Sequence, residues 1–218
     1  MWSNNLEYYL TLTDIKFDQN ALNDFWELIK PKVLESYNFQ SDEIQDGIDK
    51  TEKWNGRRLN NSELIDKYLG FGYDNCSEIK RLLELFNKDF QLTINDFCFV
   101  AYEPGFEFFP HIDEGRKVYV AFPVTPSDGG VPINFYEKII HEDGSIQCGQ
   151  LVETYNYSNI HPTLVDVTKF HGVKNDNNWR VYLQLDMGFD VENITFEDCK
   201  KRLKEDKFYN KGEIHEYT

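Results

Sequence analysis

No apolar run in this sequence reaches the roughly 18–20 residues that a membrane-spanning helix requires. The opening stretch W-S-N-N-L-E-Y-Y-L has neither the basic nor the apolar segment of a secretory signal. A soluble, cytoplasmic protein is therefore expected. Cysteine is sparse: Cys76, Cys98, Cys148 and Cys199 are scattered and make no C-x-x-C pair. That argues against a zinc ribbon or a disulfide framework and fits a reduced interior. No G-x-S-x-G, P-loop or Rossmann glycine pattern occurs, so those chemistries have no support. Positive charge is also short, with 23 Lys and Arg against 38 Asp and Glu and a formal net charge of -15. Such a chain is repelled by phosphate backbones and anionic membrane surfaces. A small-molecule or peptide substrate is expected, and neither nucleic acid nor a membrane. The densest basic run, Lys200-Lys201-Arg202 with Lys204, is interleaved with Glu197, Asp198, Glu205 and Asp206. It reads as a solvated, salt-bridged helix face.

What the chain has in quantity is aromatic residues, 16% of its 218 positions, enough for a sizeable core in a single domain spanning 1–218. Residues 1–92 read as mostly helical support. In A-L-N-D-F-W-E-L-I-K-P-K-V-L-E-S-Y, Leu22, Phe25, Trp26, Ile29, Val33 and Leu34 recur at helical spacing, with a kink or split expected at Pro31. Ser77 is placed to cap a second helix, S-E-I-K-R-L-L-E-L-F-N-K-D-F. Residues 40–75 between them read as loops with short helical pieces. Residues 93–190 change grammar. I-N-D-F-C-F-V-A-Y alternates, placing Cys98, Val100 and Tyr102 on one face and Phe97, Phe99 and Ala101 on the other. Strand-like runs K-V-Y-V-A-F-P-V, I-N-F-Y-E-K-I-I, S-I-Q-C-G-Q-L-V-E-T-Y, T-L-V-D-V and W-R-V-Y-L-Q-L-D-M follow, separated by turn residues. Such spacing without helices between indicates an antiparallel sandwich or jelly roll. Residues 191–218 read as a charged helix and a tail.

Chemistry concentrates in Y-E-P-G-F-E-F-F-P-H-I-D. In an extended chain His111 and Asp113 project to one side, where an imidazole and a carboxylate can reach one ion. Read alone, H-I-D is better explained as a hydrogen-bonded pair. His171 in F-H-G-V, and Arg180 nine residues later, change that balance. Two histidines and one carboxylate that leave open positions suit non-haem Fe(II) oxygenases, and zinc would accept the same donors. Arg180 offers a bidentate clamp for a carboxylate.

On these residues the chain resembles the Fe(II)/2-oxoglutarate-dependent dioxygenases, in their prolyl-hydroxylase-like branch. The matching features are Y-x-x-G-x-x-F-x-x-H-x-D (Tyr102, Gly105, Phe108, His111, Asp113), the later F-H-G-V with His171, and Arg180, over about residues 94–190. The resemblance implies a double-stranded β-helix, iron held by His111, Asp113 and His171, and Arg180 paired with the distal carboxylate of 2-oxoglutarate. Tyr102 would lie near the cosubstrate. The implied reaction hydroxylates a substrate, a prolyl or other amino-acid side chain among the candidates, with release of succinate and CO2. Tyr182 stands two positions after the Arg, where relatives often have Ser or Thr, and the strand after H-I-D shows no recognisable cosubstrate-holding Tyr. Tyr182 and Asn134 are taken as cosubstrate-binding candidates. Asn134 and Tyr136 share a strand face expected to line the pocket, with core packing an equal reading for Tyr136. Phe106, Phe108 and Phe109 are expected to help wall it. His141 reads as exposed in a hairpin, His161 as a loop residue, His215 as part of the polar tail, Trp179 as packing, and Asp166 as a strand edge facing solvent. Two other readings stay open at this point. One is a cupin-like metal enzyme that does not use 2-oxoglutarate; the other is a non-catalytic β-sandwich module in which His111 and His171 never meet.

Overall fold

The alternation of I-N-D-F-C-F-V-A-Y becomes strand β3 in the computed structural model, which describes residues 8–44, 58–59, 76–94, 96–102, 107–113, 115–124, 132–157, 160–174, 180–187 and 194–205. The elements run β1 (Tyr9–Thr11), α1 (Gln19–Ile44), β2 (Arg58–Leu59), α2 (Ser77–Glu84), β3 (Asp96–Tyr102), β4 (Glu107–His111) and β5 (Val118–Pro123). They continue with β6 (Pro132–Ile140), β7 (Ile146–Asn156), β8 (Thr163–Asp166), β9 (Phe170–Lys174), β10 (Arg180–Met187) and α3 (Phe196–Glu205). A π-helical turn, Leu85–Asp89, extends α2.

Two sheets form, one in the order β1-β8-β5-β10-β3-β2 and one in the order β4-β9-β6-β7. Every strand pair is antiparallel. From β3 onward successive strands swap sheets, except that the hairpin partners β6 and β7 stay together. That winding is a double-stranded β-helix, the jelly-roll architecture.

Period-2 alternation decides what each sheet shows to each side. Along β10, Val181, Leu183, Leu185 and Met187 join a core with Leu22, Trp26 and Ile29 of α1, Ile79 and Leu82 of α2, and Phe196 and Cys199 of α3. The other face of β10 carries Arg180, Tyr182, Gln184 and Asp186, all buried. Tyr182 belongs to a second core with Cys98 and Val100 of β3, Tyr119 and Ala121 of β5, and Ile133, Phe135 and Val173 from the opposite sheet. Helices therefore coat the outside of the larger sheet, and its inner face closes on the smaller one. A strand with four polar residues buried in that interior, on one face, marks where the site lies.

Several local expectations change. The helix α1 runs unbroken through Pro31. Asp18 caps it, its Oδ1 accepting from Ala21 N at 3.0 Å. Ser77 is not the cap of α2: Cys76 stands at the N-cap and contributes no side-chain bond. Glu78 instead ties the two helix starts together, accepting from Asp18 N at 2.9 Å and from Arg81 Nη2 at 2.7 Å. The short β1, in a region expected to be helical, exists because it pairs with β8. Asp166 does not face solvent at an edge: β8 lies between β1 and β5, and Asp166 is buried, accepting from Thr168 N at 3.0 Å and Thr168 Oγ1 at 2.6 Å. Most of residues 40–75 lies outside the described residues. The charged helix α3 is present, started by a reciprocal Thr195–Asp198 cap, with Lys200 3.5 Å from Glu197.

Candidate metal centre

A bulge brings the two histidines together. Along the β4–β9 ladder Phe108 pairs with Val173 and His111 with His171, so three steps on β4 oppose two on β9. In a regular strand His111, three residues after Phe108, would point to the opposite face. The extra residue restores it to the side shared by His171. Pro110, with no N–H to lose from the ladder, sits in this irregular stretch. Opposite it is Gly172, where a Cβ would stand 2.8 Å from Phe108 O and 3.2 Å from Pro110 N. Only glycine admits so close a backbone approach. The imidazole rings of His111 and His171 end with centroids 4.4 Å apart, and Phe108 packs edge-on to His111 at 4.1 Å.

Asp113 follows just past β4, its N–H bonded to Val167 O at 3.2 Å. Its Oδ1 lies 3.2 Å from His111 Nε2 and 3.9 Å from His171 Nε2. One donor atom from each of the three residues falls within 4.8 Å of the others. Donors about 2.1 Å from a metal and cis to one another lie about 3 Å apart, so this set closes on an ion with small adjustments. Each imidazole is oriented from behind. His111 Nδ1 is 2.9 Å from Phe109 O and His171 Nδ1 is 2.9 Å from Lys169 O. A carbonyl can only accept, so Nδ1 carries the hydrogen in both rings and Nε2 presents its lone pair to the site.

Electrostatics favour the same state. Burial pushes the His171 imidazole down to about 4, helped by neighbouring His111 and opposed by Asp113. Burial alone would raise the Asp113 carboxyl, but the neighbouring His111 side chain, the Arg116 charge and His171 together hold it well below the usual carboxylate range. At neutral pH His171 is thus uncharged and Asp113 ionised, as metal ligation requires.

Arg116, which sequence reasoning missed, sits behind Asp113. Its Nε is 2.6 Å from Asp113 Oδ2 and its Nη1 is 2.8 Å from Asp186 Oδ1. Gln184 Nε2 donates to the same Asp186 oxygen at 2.7 Å. The only sequence signal was an Arg two residues before a strand otherwise apolar, just after Gly115, whose φ of +92° allows the reversal.

Arg180 is buried at the start of β10, in register opposite Tyr102 of β3. Its guanidinium lies 4.1 Å from the Tyr157 ring centre and 5.0 Å from that of Tyr182. The rings continue as a stack: Tyr157–Tyr182 at 6.0 Å, Tyr182–Tyr119 at 6.4 Å, and Arg116 5.3 Å from the Tyr119 ring. The Tyr119 and Tyr157 hydroxyls are 2.6 Å apart. Tyr119 is on the strand after H-I-D, where sequence reading singled out no Tyr; its inward alternation with Ala121 is the signal that could have found it. Tyr157, just past β7, had none.

Asn134 is removed from the pocket. Its neighbours Ile133 and Phe135 face the interior, so Asn134 faces out, accepting from Thr154 Oγ1 at 2.8 Å. Tyr136 shares that outer face. Phe109 is exposed, unlike Phe108, and His141 lies exposed beside the β6–β7 turn. His161 is half-buried before β8. The side chain of Tyr102, and Gly105, Phe106, Trp179 and His215, lie outside the described residues.

No family model and no curated protein matches the chain. Among solved structures it is similar to a Pseudomonas putida prolyl-4-hydroxylase, at 14% identity over 84% of this chain and 93% of that one, with a TM-score of 0.41. It is also similar to AviO1 from Streptomyces viridochromogenes Tue57, at 12% identity over 87% and 93%, with a TM-score of 0.48. A Trichoplax adhaerens prolyl hydroxylase in complex with a hypoxia inducible factor peptide fragment matches at 15% identity over 90% and 88%, with a TM-score of 0.43. Among the described residues no helix is long and apolar enough to cross a membrane.

Proposed function

We propose that the chain is a non-haem Fe(II) oxygenase that takes 2-oxoglutarate as cosubstrate and hydroxylates a peptide side chain or a small molecule. The supporting observation is the convergence of His111 Nε2, Asp113 Oδ1 and His171 Nε2 inside a jelly roll that also buries Arg180. Two neutral imidazoles and one carboxylate leave a divalent ion with net positive charge and open positions, the donor set of this oxygenase class. When bound, the iron supplies O2 chemistry in which one oxygen atom enters the 2-oxo acid, released as succinate and CO2, and the other enters a substrate C–H bond.

The chain's own groups bind, orient and exclude water. The Phe109 and Lys169 carbonyls lock the two imidazoles in register, so the ligands need little reorganisation. The faces of Arg180 rest on Tyr157 and Tyr182, which aims its in-plane N–H edge and suits it to pair with the distal carboxylate of 2-oxoglutarate. Tyr182 and Tyr119 wall that side of the interior and Phe108 covers the outer side of His111, keeping water from the reacting centre. Tyr102, whose backbone is level with Arg180, is assigned to the cosubstrate side. The net charge of -15 favours a neutral or basic peptide, or a small molecule, over a polynucleotide.

Anaerobic titration with Fe(II) and then 2-oxoglutarate tests this reading. A visible charge-transfer band should appear in the wild-type chain and be absent in His171→Ala. In Arg180→Ala it should need about 30-fold more 2-oxoglutarate. No band in the wild type, or a band that survives both substitutions unchanged, overturns the assignment.

A further inference from the structure

We propose that Arg116 is the positioning residue of this metal centre, a guanidinium shared between Asp113 and Asp186 that makes Asp113 a one-oxygen ligand. The inference rests on the reading of His111, Asp113 and His171 as metal ligands. The two oxygens of Asp113 have separate tasks: Oδ1 faces both histidines at 3.2 and 3.9 Å, while Oδ2 is taken by Arg116 Nε at 2.6 Å. A carboxylate with one oxygen committed to a half-buried, doubly anchored guanidinium cannot swing to chelate an ion through both. It therefore occupies one coordination position, which keeps the remainder open for a chelating cosubstrate and O2.

The second arm fixes the first. Arg116 Nη1 is 2.8 Å from Asp186 Oδ1, and that oxygen also accepts from Gln184 Nε2 at 2.7 Å. The Tyr119 ring lies 5.3 Å from the guanidinium carbon. Arg116 is thus held by Asp186 of β10, which Gln184 fixes in turn, and by Tyr119 of β5, all on the larger sheet, and passes that rigidity to a ligand that belongs to no strand. A purely structural tie between β5 and β10 is a weaker explanation, because those strands are already joined by a backbone ladder from Tyr182–Pro123 to Met187–Val118. Buried ion pairs are costly to desolvate. What this one adds beyond the ladder is the orientation of Asp113. One guanidinium between two carboxylates also leaves the cluster one unit negative, which suits a divalent cation.

Co(II) titration of the full chain, followed by its visible absorption, tests the assignment on wild type, R116M, R116K and, as reference, H171A. Thermal melting of each metal-free variant accompanies the titration. Wild type is expected to bind one Co(II), and H171A none. R116M should lose about 10- to 100-fold in Co(II) affinity and show an altered band shape, because Asp113 can then turn both oxygens to the ion. R116K keeps the charge but not the fork, and is expected to recover part of the affinity without the wild-type spectrum. Should R116M fail to fold, D186N carries the test: it keeps shape and acceptor oxygen while weakening the hold on Nη1, and about a fivefold loss is expected. Wild-type affinity and spectrum in folded R116M, or in D186N where R116M does not fold, overturn the role of Arg116. Wild-type binding that H171A leaves intact overturns the metal-site reading instead.

Discussion

A methyl group decides whether the two histidines meet. At Gly172 a Cβ would press on Phe108 O at 2.8 Å, and the bulge that turns His111 inward would have to open. Gly172→Ala should therefore lower stability by about 1–3 kcal/mol and weaken Co(II) binding as well, read by thermal melting and metal titration. Wild-type values for both would show that the strands yield at no cost to the site. The H-x-D pair was legible because two potential ligands sit at strand spacing, but the bulge was not, since P-H-I-D reads the same in a regular strand. Arg116 was hidden for another reason. Its second anchor, Asp186, lies 70 residues away, and no local pattern links them. Asn134 shows the limit of alternation: it sorts residues of a strand into two faces without saying which face looks inward.

At the level of elements, alternation carried the reading of β3 to β10, because long half-buried strands repeat their pattern several times. The three-residue β1 repeats it barely once and is defined by its partner β8 rather than by its own sequence. The helix α3 carries a pH consequence. Burial in the helix-side core pushes the Cys199 thiol up to about 12 from 9.0, so the folded state favours the neutral form. Unfolded chains release that proton near the ordinary value, and between the two values the unfolded state binds fewer protons. Stability is then fully present below pH 9 and falls as pH rises toward 12, with a slope for this group approaching about 1.4 kcal/mol per unit. Chemical denaturation between pH 9 and 10 should show the slope in wild type and a flatter one in Cys199→Ala. That window lies below the range where Tyr9, pushed up to about 12 by burial and its bond to Glu153, adds its own loss. Equal slopes would mean that the thiol is hydrated on ionisation without unfolding.

Over the whole molecule, the larger sheet separates two kinds of interior. Among the described residues, its outer face packs against a mainly apolar helix layer, and its inner face carries buried charged groups. Trp26, 1% exposed and stacked at 5.9 Å on Phe99, belongs wholly to the first. Trp26→Ala should cost about 3–5 kcal/mol of unfolding free energy, while the folded fraction binds Co(II) within about twofold of wild type. A larger affinity change would mean that the helix layer sets the metal geometry through the sheet.

The stacked rings of Tyr119, Tyr182 and Tyr157 lie between Arg116 at one end and Arg180 at the other. One guanidinium stands behind Asp113 and the other lies against Tyr157 and Tyr182, with the rings as a fixed spacer between them. The Tyr119 and Tyr157 hydroxyls meet at 2.6 Å, so the three rings close into a wedge that fixes the span between the two guanidinium groups. On the proposed function, that wedge would select a dicarboxylate by its length, and shaving one ring would change which length fits.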